Sequence, residues 1–207
     1  MIALIDYGAG NLASVRKALA ALDAEVFTPA DPAELASVRG VIVPGVGHFS
    51  STAALDDRWR AAVLAGIRRG VPLFGVCVGM QWLFEGSTEA PDTPGLGVLA
   101  GTCARLTGHD PADPAHALKV PHVGWNSLDF VRPSVLTRGL EPGVQVYFTH
   151  SYAAPVTDGT VASTTHGERF AAVVERDRVF GVQFHPEKSS EPGLTILRNF
   201  LEVARTV

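Results

Sequence analysis

Two separated stretches of the chain carry residues that could act together as a nucleophile and a base. The first is Val71–Gln81, V-P-L-F-G-V-C-V-G-M-Q, an apolar run in which Cys77 lies between Gly75 and Gly79. In a G-x-C-x-G pattern a strand turns directly into a helix, and the central side chain projects from a strained turn. Unpaired backbone N–H groups at a helix N-terminus favour the thiolate of such a cysteine. The pattern therefore predicts a nucleophile elbow rather than a structural cysteine.

The second stretch is Gly181–Ser189, G-V-Q-F-H-P-E-K-S, near the end of the chain. In an extended strand His185 and Glu187 would project to the same side, with their Cα atoms about 7 Å apart. The carboxylate could then bind one imidazole nitrogen and leave the other free, while Pro186 stiffens the backbone between them. A cysteine nucleophile requires such a base and such an orienting group. The order nucleophile, His, Glu differs from the nucleophile, acid, His order of α/β-hydrolases.

The elements that must position these residues alternate between strands and helices in the first half. Apolar runs predict strands at Met1–Ile5, Gly40–Pro44 and the segment before Cys77. Apolar residues at spacings of three and four predict helices that start near Leu12 and Leu55. This alternation is typical of a parallel sheet with a ligand site at the carboxyl ends of its strands.

The second half contains strand-like pieces without long helices between them. A short polar centre at 176–178 predicts a hairpin, and 107–118 is expected to be an exposed loop. The expected strands are 96–106, 125–130, 144–148, 161–164, 170–175 and 179–184. We therefore predict an α/β fold with a three-layer open mixed sheet, parallel in its N-terminal half and more antiparallel in its C-terminal half. One domain over residues 1–207 is expected.

Composition excludes several classes of function. The 207 residues are 46% hydrophobic with a net charge of -4 and no run of Lys or Arg, which argues against nucleic acid or anionic membrane as a partner. No signal peptide or membrane-spanning stretch is expected. The two cysteines, Cys77 and Cys103, lack metal-ligand spacing with the histidines, so no metal site is predicted and a reduced, cytoplasmic setting fits best.

The elbow and the terminal H-P-E motif together resemble the class I, triad-type glutamine amidotransferases. Three more segments are similar to one branch of that family, the glutaminase subunits of imidazole glycerol phosphate synthases. They are Y-G-A-G-N at 7–11, K-V-P-H-V-G-W-N at 119–126 and P-E-K-S at 186–189. The resemblance covers almost the whole chain.

The resemblance implies roles for individual residues. Cys77 would be the nucleophile, His185 the general base and then acid, and Glu187 the residue that orients the imidazole. Gln81, one helical turn after the nucleophile, and the main chain of Ser151 and Tyr152 would bind glutamine. No cofactor is implied.

Charge on the tetrahedral oxygen must be stabilised by preformed donors. The N–H of Val78, directly after the nucleophile, is one candidate. The second donor is expected from the segment Pro44–Gly47, at Val46 or Gly47, because flanking glycines permit the peptide to rotate. We expect this donor to turn inward only when partner and acceptor are bound.

The resemblance also implies a partner, a (β/α)₈-barrel cyclase subunit that receives the ammonia. The cyclase would form imidazole glycerol phosphate and aminoimidazole carboxamide ribotide in histidine biosynthesis. The positions that match the barrel-facing surface of the family are Asn11, Trp125, Asn126, Tyr147 and Lys188.

Three other interpretations remain open from the sequence. A glutaminase for another acceptor, such as the anthranilate or pyridoxal-phosphate synthase subunits, would conserve the triad but not the three additional segments. A stand-alone cysteine hydrolase would need neither Glu187 nor Gln81. A flavodoxin-like binding module would leave His185 and Glu187 without a role.

Overall fold

The structure, a computed structural model, describes residues 1–110 and 113–207. The strands in these ranges, in chain order, are β1 (Ile2–Leu4), β2 (Val26–Phe27), β3 (Gly40–Val43), β4 (Leu73–Val76), β5 (Gly86–Ser87), β6 (Thr102–Arg105), β7 (His109–Asp110), β8 (Asp113–Ala117), β9 (His122–Ser127), β10 (Asp129–Phe130), β11 (Gln145–His150), β12 (Tyr152–Ala153), β13 (Thr160–His166), β14 (Glu168–Arg176) and β15 (Val179–Val182). The α-helices are α1 (Leu12–Ala20), α2 (Asp57–Arg68), α3 (Val78–Trp82) and α4 (Ser190–Arg205). Shorter 3₁₀ helices cover Pro32–Ser37, Phe49–Ala54 and Pro186–Lys188.

An open eight-stranded sheet forms the centre of the fold, in the order β10-β13-β14-β15-β4-β3-β1-β2. The pairs from β2 to β15 are parallel, whereas β15, β14, β13 and β10 pair antiparallel. The predicted mixed α/β sheet is therefore confirmed. The hairpin predicted at 176–178 joins β14 to β15, and Asp177 in its turn has φ 54°.

Helices cover both faces of this sheet. On β15 the ring of Phe180 lies near Phe200 of α4, with 6.3 Å between centroids, while a Cβ on Gly181 would contact Met80 of α3. Because neighbouring residues of a strand point to opposite faces, α3 and α4 lie on opposite sides of the sheet. The central strands β3, β4 and β15 are buried along their length, as strands covered on both faces must be.

The segment Pro32–Ser37 is a 3₁₀ helix, and Asp31 and Glu34 form a capping box at its start. A sequence-based element assignment needs correction. The predicted loop at 107–118 contains the paired strands β7 and β8, with residues 111 and 112 outside the described ranges. Among the described residues, none of the helices combines the length and the hydrophobicity that a membrane span requires.

Candidate active site

The elbow at Cys77 has the predicted geometry. Cys77 follows β4 directly and precedes α3, and its backbone has φ 53° and ψ -110°, a left-handed conformation that is strained for a residue with a side chain. Helix α3 also lies very close to the end of the neighbouring strand β3, because a Cβ on Gly79 would lie 1.8 Å from the carbonyl oxygen of Val43. A Cβ on Gly75 would lie 2.5 Å from the carbonyl oxygen of Gly79. Both positions therefore require glycine.

The parallel pairing of β15 with β4 brings the two chemical stretches together. Val182 is in register with Val76, and the N–H of Cys77 donates to the carbonyl of Val182 at 2.8 Å. Parallel strands end at the same edge of a sheet, so the segment that carries His185 leaves β15 beside Cys77. The N–H of His185 donates to the carbonyl of Tyr147 on β11, which fixes the backbone there.

His185 and Glu187 are in contact, although not through an extended strand as predicted. β15 ends at Val182, and Pro186–Lys188 form a 3₁₀ turn. This turn places Oε1 of Glu187 2.9 Å from Nδ1 of His185, with both side chains 1% exposed. Nε2 of His185 has no hydrogen-bond partner among the described residues, and the imidazole lines the same cavity as Cys77. One nitrogen is therefore held by the carboxylate while the other remains available.

The protonation state of His185 follows from its neighbours. Burial lowers its pKa, but interactions with the sulfur of Cys77 and with the Glu187 carboxylate outweigh burial and raise the pKa of His185 to about 9. An imidazolium next to a thiol is the arrangement that stabilises a thiolate. α3 has only five residues, so the N–H groups of its first turn contribute here rather than a long helix dipole.

All nine residues predicted for catalysis, the oxyanion and substrate lie in this region. Apart from Glu187, which is held behind His185, they line one cavity of about 250 Å³. Its predicted members are Val46, Gly47, Cys77, Val78, Gln81, Ser151, Tyr152 and His185. The geometry brings them together; their roles remain predictions.

The expected oxyanion segment packs directly on the elbow. A Cβ on Gly45 would lie 2.9 Å from the amide nitrogen of Gly79 and 2.3 Å from Oη of Tyr7, so the chain approaches the elbow as closely as glycine allows. Gly47 has φ +91°, and the space around its Cα is open. A peptide at Val46–Gly47 can therefore change orientation without a side-chain clash.

Gln81 is 2% exposed, so it is not an ordinary surface residue of a helix. Its Nε2 donates to the carbonyl of Tyr152 at 2.8 Å and to Oε1 of Gln183 at 3.1 Å. These two bonds orient the amide at the edge of the cavity. They also connect α3 to the predicted substrate segment at Ser151 and Tyr152.

The predicted partner residues divide into two groups. Trp125 is 51% exposed and stands edge-on to Tyr147, and the Nζ of Lys188 lies over the Tyr147 ring at 5.9 Å from its centroid. These three form one face beside His185, and Trp125 is not a core residue. Asn11 instead caps α1, accepting from the N–H of Ser14, and Asn126 makes hydrogen bonds within the chain. For these two, a partner contact remains a prediction.

Several residues near the nucleophile were not predicted from the sequence. Gln183 donates to the sulfur of Cys77 at 3.7 Å, and Glu89 lines the cavity while it accepts from the N–H of Phe49. Tyr7 is half-buried beside the elbow; its hydroxyl is buried and unpaired among the described residues, and burial with the nearby Cys77 raises the pKa of that hydroxyl. Gln183 could have been found as a polar residue in an apolar strand, two positions before His185. Glu89 carried no comparable signal because it lies in an irregular loop.

Comparison with known proteins places these features in a family. The model of the family described as glutamine amidotransferase class-I matches residues 3–204. A relative from Moorella thermoacetica, named imidazole glycerol phosphate synthase subunit HisH, is 46% identical over 99% of this chain and 95% of its own length. Relatives with the same name from Geobacillus kaustophilus and Methanothermobacter thermautotrophicus are 46% and 41% identical, over 99% of this chain and 97% and 100% of theirs.

Solved structures agree with the fold. A structure titled as a glutamine amidotransferase superposes with a TM-score of 0.74 at 21% identity, over 99% of this chain and 100% of that one. The structure of PurLQS from Thermotoga maritima gives a TM-score of 0.71 at 18% identity, over 97% of both chains. At these identities the likeness concerns the fold alone.

Proposed function

Because the chain belongs to the class I glutamine amidotransferase family, we infer that it is the glutaminase subunit of an imidazole glycerol phosphate synthase, acting in histidine biosynthesis. Relatives that carry that subunit name match it at 41% to 46% identity over nearly its full length. The single observation that carries the chemistry is the buried His185, bound by Glu187 on Nδ1 and free on Nε2 beside Cys77.

The reaction begins at Cys77. His185 holds the proton, and the thiolate attacks the side-chain amide carbon of glutamine. The imidazolium then protonates the departing nitrogen, which leaves as ammonia and gives a γ-glutamyl thioester on Cys77. Neutral His185 next takes a proton from water, which hydrolyses the thioester to glutamate and restores the thiolate. Glu187 keeps the ring in place through both steps, and no cofactor enters them.

Two backbone N–H groups stabilise the tetrahedral oxygen. The first belongs to Val78, which starts α3 and therefore has no partner within the helix. The second comes from the Val46–Gly47 peptide across the cavity, turned inward when the cyclase and its ligand are bound. Loss of one such donor typically lowers the rate by about 10²- to 10³-fold. The orientation of the Val46–Gly47 peptide is therefore enough to turn glutamine hydrolysis on or off.

The rest of the cavity binds the substrate. Gln81 and the main chain of Ser151 and Tyr152 hold glutamine with its side-chain amide at Cys77, and the Glu89 carboxylate supplies a negative charge suited to the α-ammonium group. The whole chain functions as one glutaminase domain.

Ammonia is mostly protonated at neutral pH and would be lost to water, so the product must pass directly to a second active site. The partner is a (β/α)₈-barrel cyclase, bound in a cytoplasmic heterodimer whose joint activity is that of a lyase. It docks on the face formed by Trp125, Tyr147 and Lys188, next to His185, and we expect it to contact Asn11 and Asn126 as well. The net charge of -4 agrees with a protein partner rather than nucleic acid or an anionic membrane.

A glutaminase assay tests this function. Glutamate release is measured for wild type, Cys77→Ala and Cys103→Ala, each alone and with the cyclase and its ribonucleotide ligand. We expect release from wild type and Cys103→Ala that rises in the complex, and none above background from Cys77→Ala. Absence of glutamate from the assembled wild type would overturn the proposed function, and equal rates for the free chain and the complex would overturn the switch at Val46–Gly47.

A further inference from the structure

Two buried histidines outside the catalytic triad lie opposite each other on neighbouring strands. His122 starts β9 and His150 ends β11, and the two residues are paired across these strands. Nδ1 of His122 lies 3.1 Å from Nε2 of His150. Both side chains are buried, and the steps proposed for glutamine hydrolysis use neither of them.

The other hydrogen bond of the His150 ring determines which of the two histidines donates to the other. Nδ1 of His150 lies 2.9 Å from the carbonyl oxygen of Tyr152, and a carbonyl only accepts, so Nδ1 of His150 carries a hydrogen. In a neutral ring Nε2 then accepts, and the hydrogen between the two rings belongs to Nδ1 of His122. Nε2 of His122 is therefore an acceptor as well.

The residue that donates to His122 is Asn126. Its Oδ1 accepts from the N–H of Ser127 at 2.8 Å, and its Nδ2 donates to the carbonyl of Thr165 at 3.0 Å, which fixes the orientation of the amide. Nδ2 also lies 3.2 Å from Nε2 of His122, so its second hydrogen is available for that nitrogen. Every bond then runs in one direction, from Asn126 through His122 and His150 to Tyr152.

The surroundings keep both rings neutral. Burial lowers the pKa of His150 to about 3, assisted by the nearby His122, His166 and His185 and opposed by the bond to Tyr152. Burial and His166, which stacks on His122 with 4.2 Å between centroids, lower the pKa of His122 to about 4. A second proton would have to lie on a nitrogen that already accepts a hydrogen bond. Within the described ranges, no group of His, Cys, Asp and Glu side chains is arranged as a metal site, so a metal does not explain the cluster.

The chain of bonds ends at the predicted substrate segment. The Tyr152 carbonyl that accepts from His150 also accepts from Gln81, and Ser151 and Tyr152 line the cavity with Cys77. At its other end, Asn126 is next to Trp125 of the proposed docking face.

We propose that His122 and His150 are positioning residues, a neutral and directed hydrogen-bond relay that starts at Asn126 and fixes the Tyr152 carbonyl, so that Ser151 and Tyr152 hold glutamine at Cys77. This inference rests on the proposed function for its substrate. The contrasting view is that the two histidines merely fill the space beside Phe148 and Phe170.

Nuclear magnetic resonance of the ¹⁵N-labelled full chain tests the relay without any activity. Two-bond ¹H–¹⁵N correlations distinguish the Nδ1–H from the Nε2–H form of a neutral histidine. At pH 7 we expect the Nδ1–H form for both His122 and His150, and the Nε2–H form for His166, whose Nε2 lies 2.8 Å from the Lys119 carbonyl. An Nε2–H form or a charged ring at His122 or His150 would overturn the proposal.

Kinetics in the complex with the cyclase test the positioning role. His122→Leu removes the donor to His150, whereas the amide of His122→Asn can still donate from the position of Nδ1. His122 does not line the cavity, so an effect on glutamine must be transmitted through His150. A buried acceptor that loses its donor, here Nε2 of His150, costs about 1–3 kcal/mol. We therefore expect His122→Leu to raise KM for glutamine about five-fold or more, with a smaller change in kcat. His122→Asn should bring KM most of the way back to the wild-type value.

The control variant is His109→Gln, which changes an exposed histidine that belongs neither to the relay nor to the cavity lining; its KM should equal that of wild type. An unchanged KM for His122→Leu, or equal changes in all three variants, would overturn the relay and leave the glutaminase function intact. An inactive wild-type complex would instead overturn the proposed function, while the resonance experiment would still decide the relay. If His122→Leu does not fold, the resonance experiment on wild type decides the relay alone.

Discussion

His185 and Glu187 form a buried pair, with 2.9 Å between Nδ1 and Oε1 and both side chains 1% exposed. The pair determines which nitrogen of the ring is held and which is left for Cys77. It also helps to keep the imidazole charged at neutral pH, since the pKa of His185 is raised to about 9 despite burial.

Removing the charge of Glu187 should therefore lower the pKa of His185. An adjacent opposite charge typically raises the pKa of a basic group by about one to three pH units, so Glu187→Gln should lower it by a comparable amount. Titration of the His185 ring by nuclear magnetic resonance measures this change directly. The matched control is Glu191→Gln, the same change at a nearby exposed position. A pKa of His185 that stays at about 9 in Glu187→Gln would contradict the account.

The stability of the chain should depend on pH in two opposite ways. His122 and His150 have lowered pKa values of about 4 and 3, so below pH 6.5 the unfolded chain binds more protons and the free energy of unfolding falls with falling pH. His185 has a raised pKa of about 9, so its contribution to the free energy of unfolding is fully present below pH 6.5 and is lost as the pH rises through 9. Urea unfolding from pH 4.5 to 9.5 should show maximal stability near pH 6.5.

In this experiment each additional proton bound by the unfolded chain changes the free energy of unfolding by about 1.4 kcal/mol per pH unit. His122→Asn should therefore reduce the acid-side slope by up to this amount and leave the alkaline side unchanged. An acid-side slope equal to that of wild type would show that His122 becomes protonated in the native state as readily as in the unfolded one.

The close crossing at the elbow predicts a large difference between two glycines, both in helices. Gly79→Ala would place a Cβ 1.8 Å from the Val43 carbonyl oxygen, which must displace backbone, so we expect loss of folding or of several kcal/mol of stability. In Gly66→Ala the nearest atom to the new Cβ is 3.8 Å away, and alanine in a helix should stabilise by up to about 1 kcal/mol. Thermal unfolding of both variants measures the difference. A Gly79→Ala protein as stable as wild type would mean that the elbow is not as tight as described.

The docking face predicts which surface residues contribute to affinity for the cyclase. Trp125 is exposed next to Tyr147 and Lys188, and truncation of a central interface tryptophan commonly costs about 2 kcal/mol or more. Trp125→Ala should therefore weaken binding of the cyclase by about 30-fold or more in calorimetry. Val156→Ala, at another exposed apolar residue, should bind like wild type; equal affinity of the Trp125→Ala and wild-type chains would place the interface elsewhere.

Residue types and spacing were sufficient to predict the elements that form this site. The strand before Cys77, the two glycines around it and the reversal from parallel to antiparallel pairing all follow from local pattern, because a doubly covered strand and a tight crossing each require particular residues. The contact of His185 with Glu187 was predicted correctly, but the reason given for it was wrong. A 3₁₀ turn at Pro186–Lys188 makes the contact, rather than alternation along a strand.

Features that depend on pairing between distant segments could not be predicted. The contact of Gln183 with Cys77 depends on the register of β15 on β4, and the bond between His122 and His150 depends on the pairing of β9 with β11. Nothing near these residues in the sequence determines either register. The strands at 109–110 and 113–117 were taken for parts of a loop because Pro and Asp residues in this part of the sequence are typical of turns.

Labelling of the assembled enzyme with 6-diazo-5-oxo-L-norleucine, an electrophilic analogue of glutamine, tests the central claim most directly. Peptide mass spectrometry should locate one adduct on Cys77, abolished by excess glutamine and absent in Cys77→Ser. Cys103 should stay unmodified, since it is fully buried and burial raises the pKa of its thiol. An adduct on another residue, or glutamate release that continues after Cys77 has been fully modified, would contradict the account.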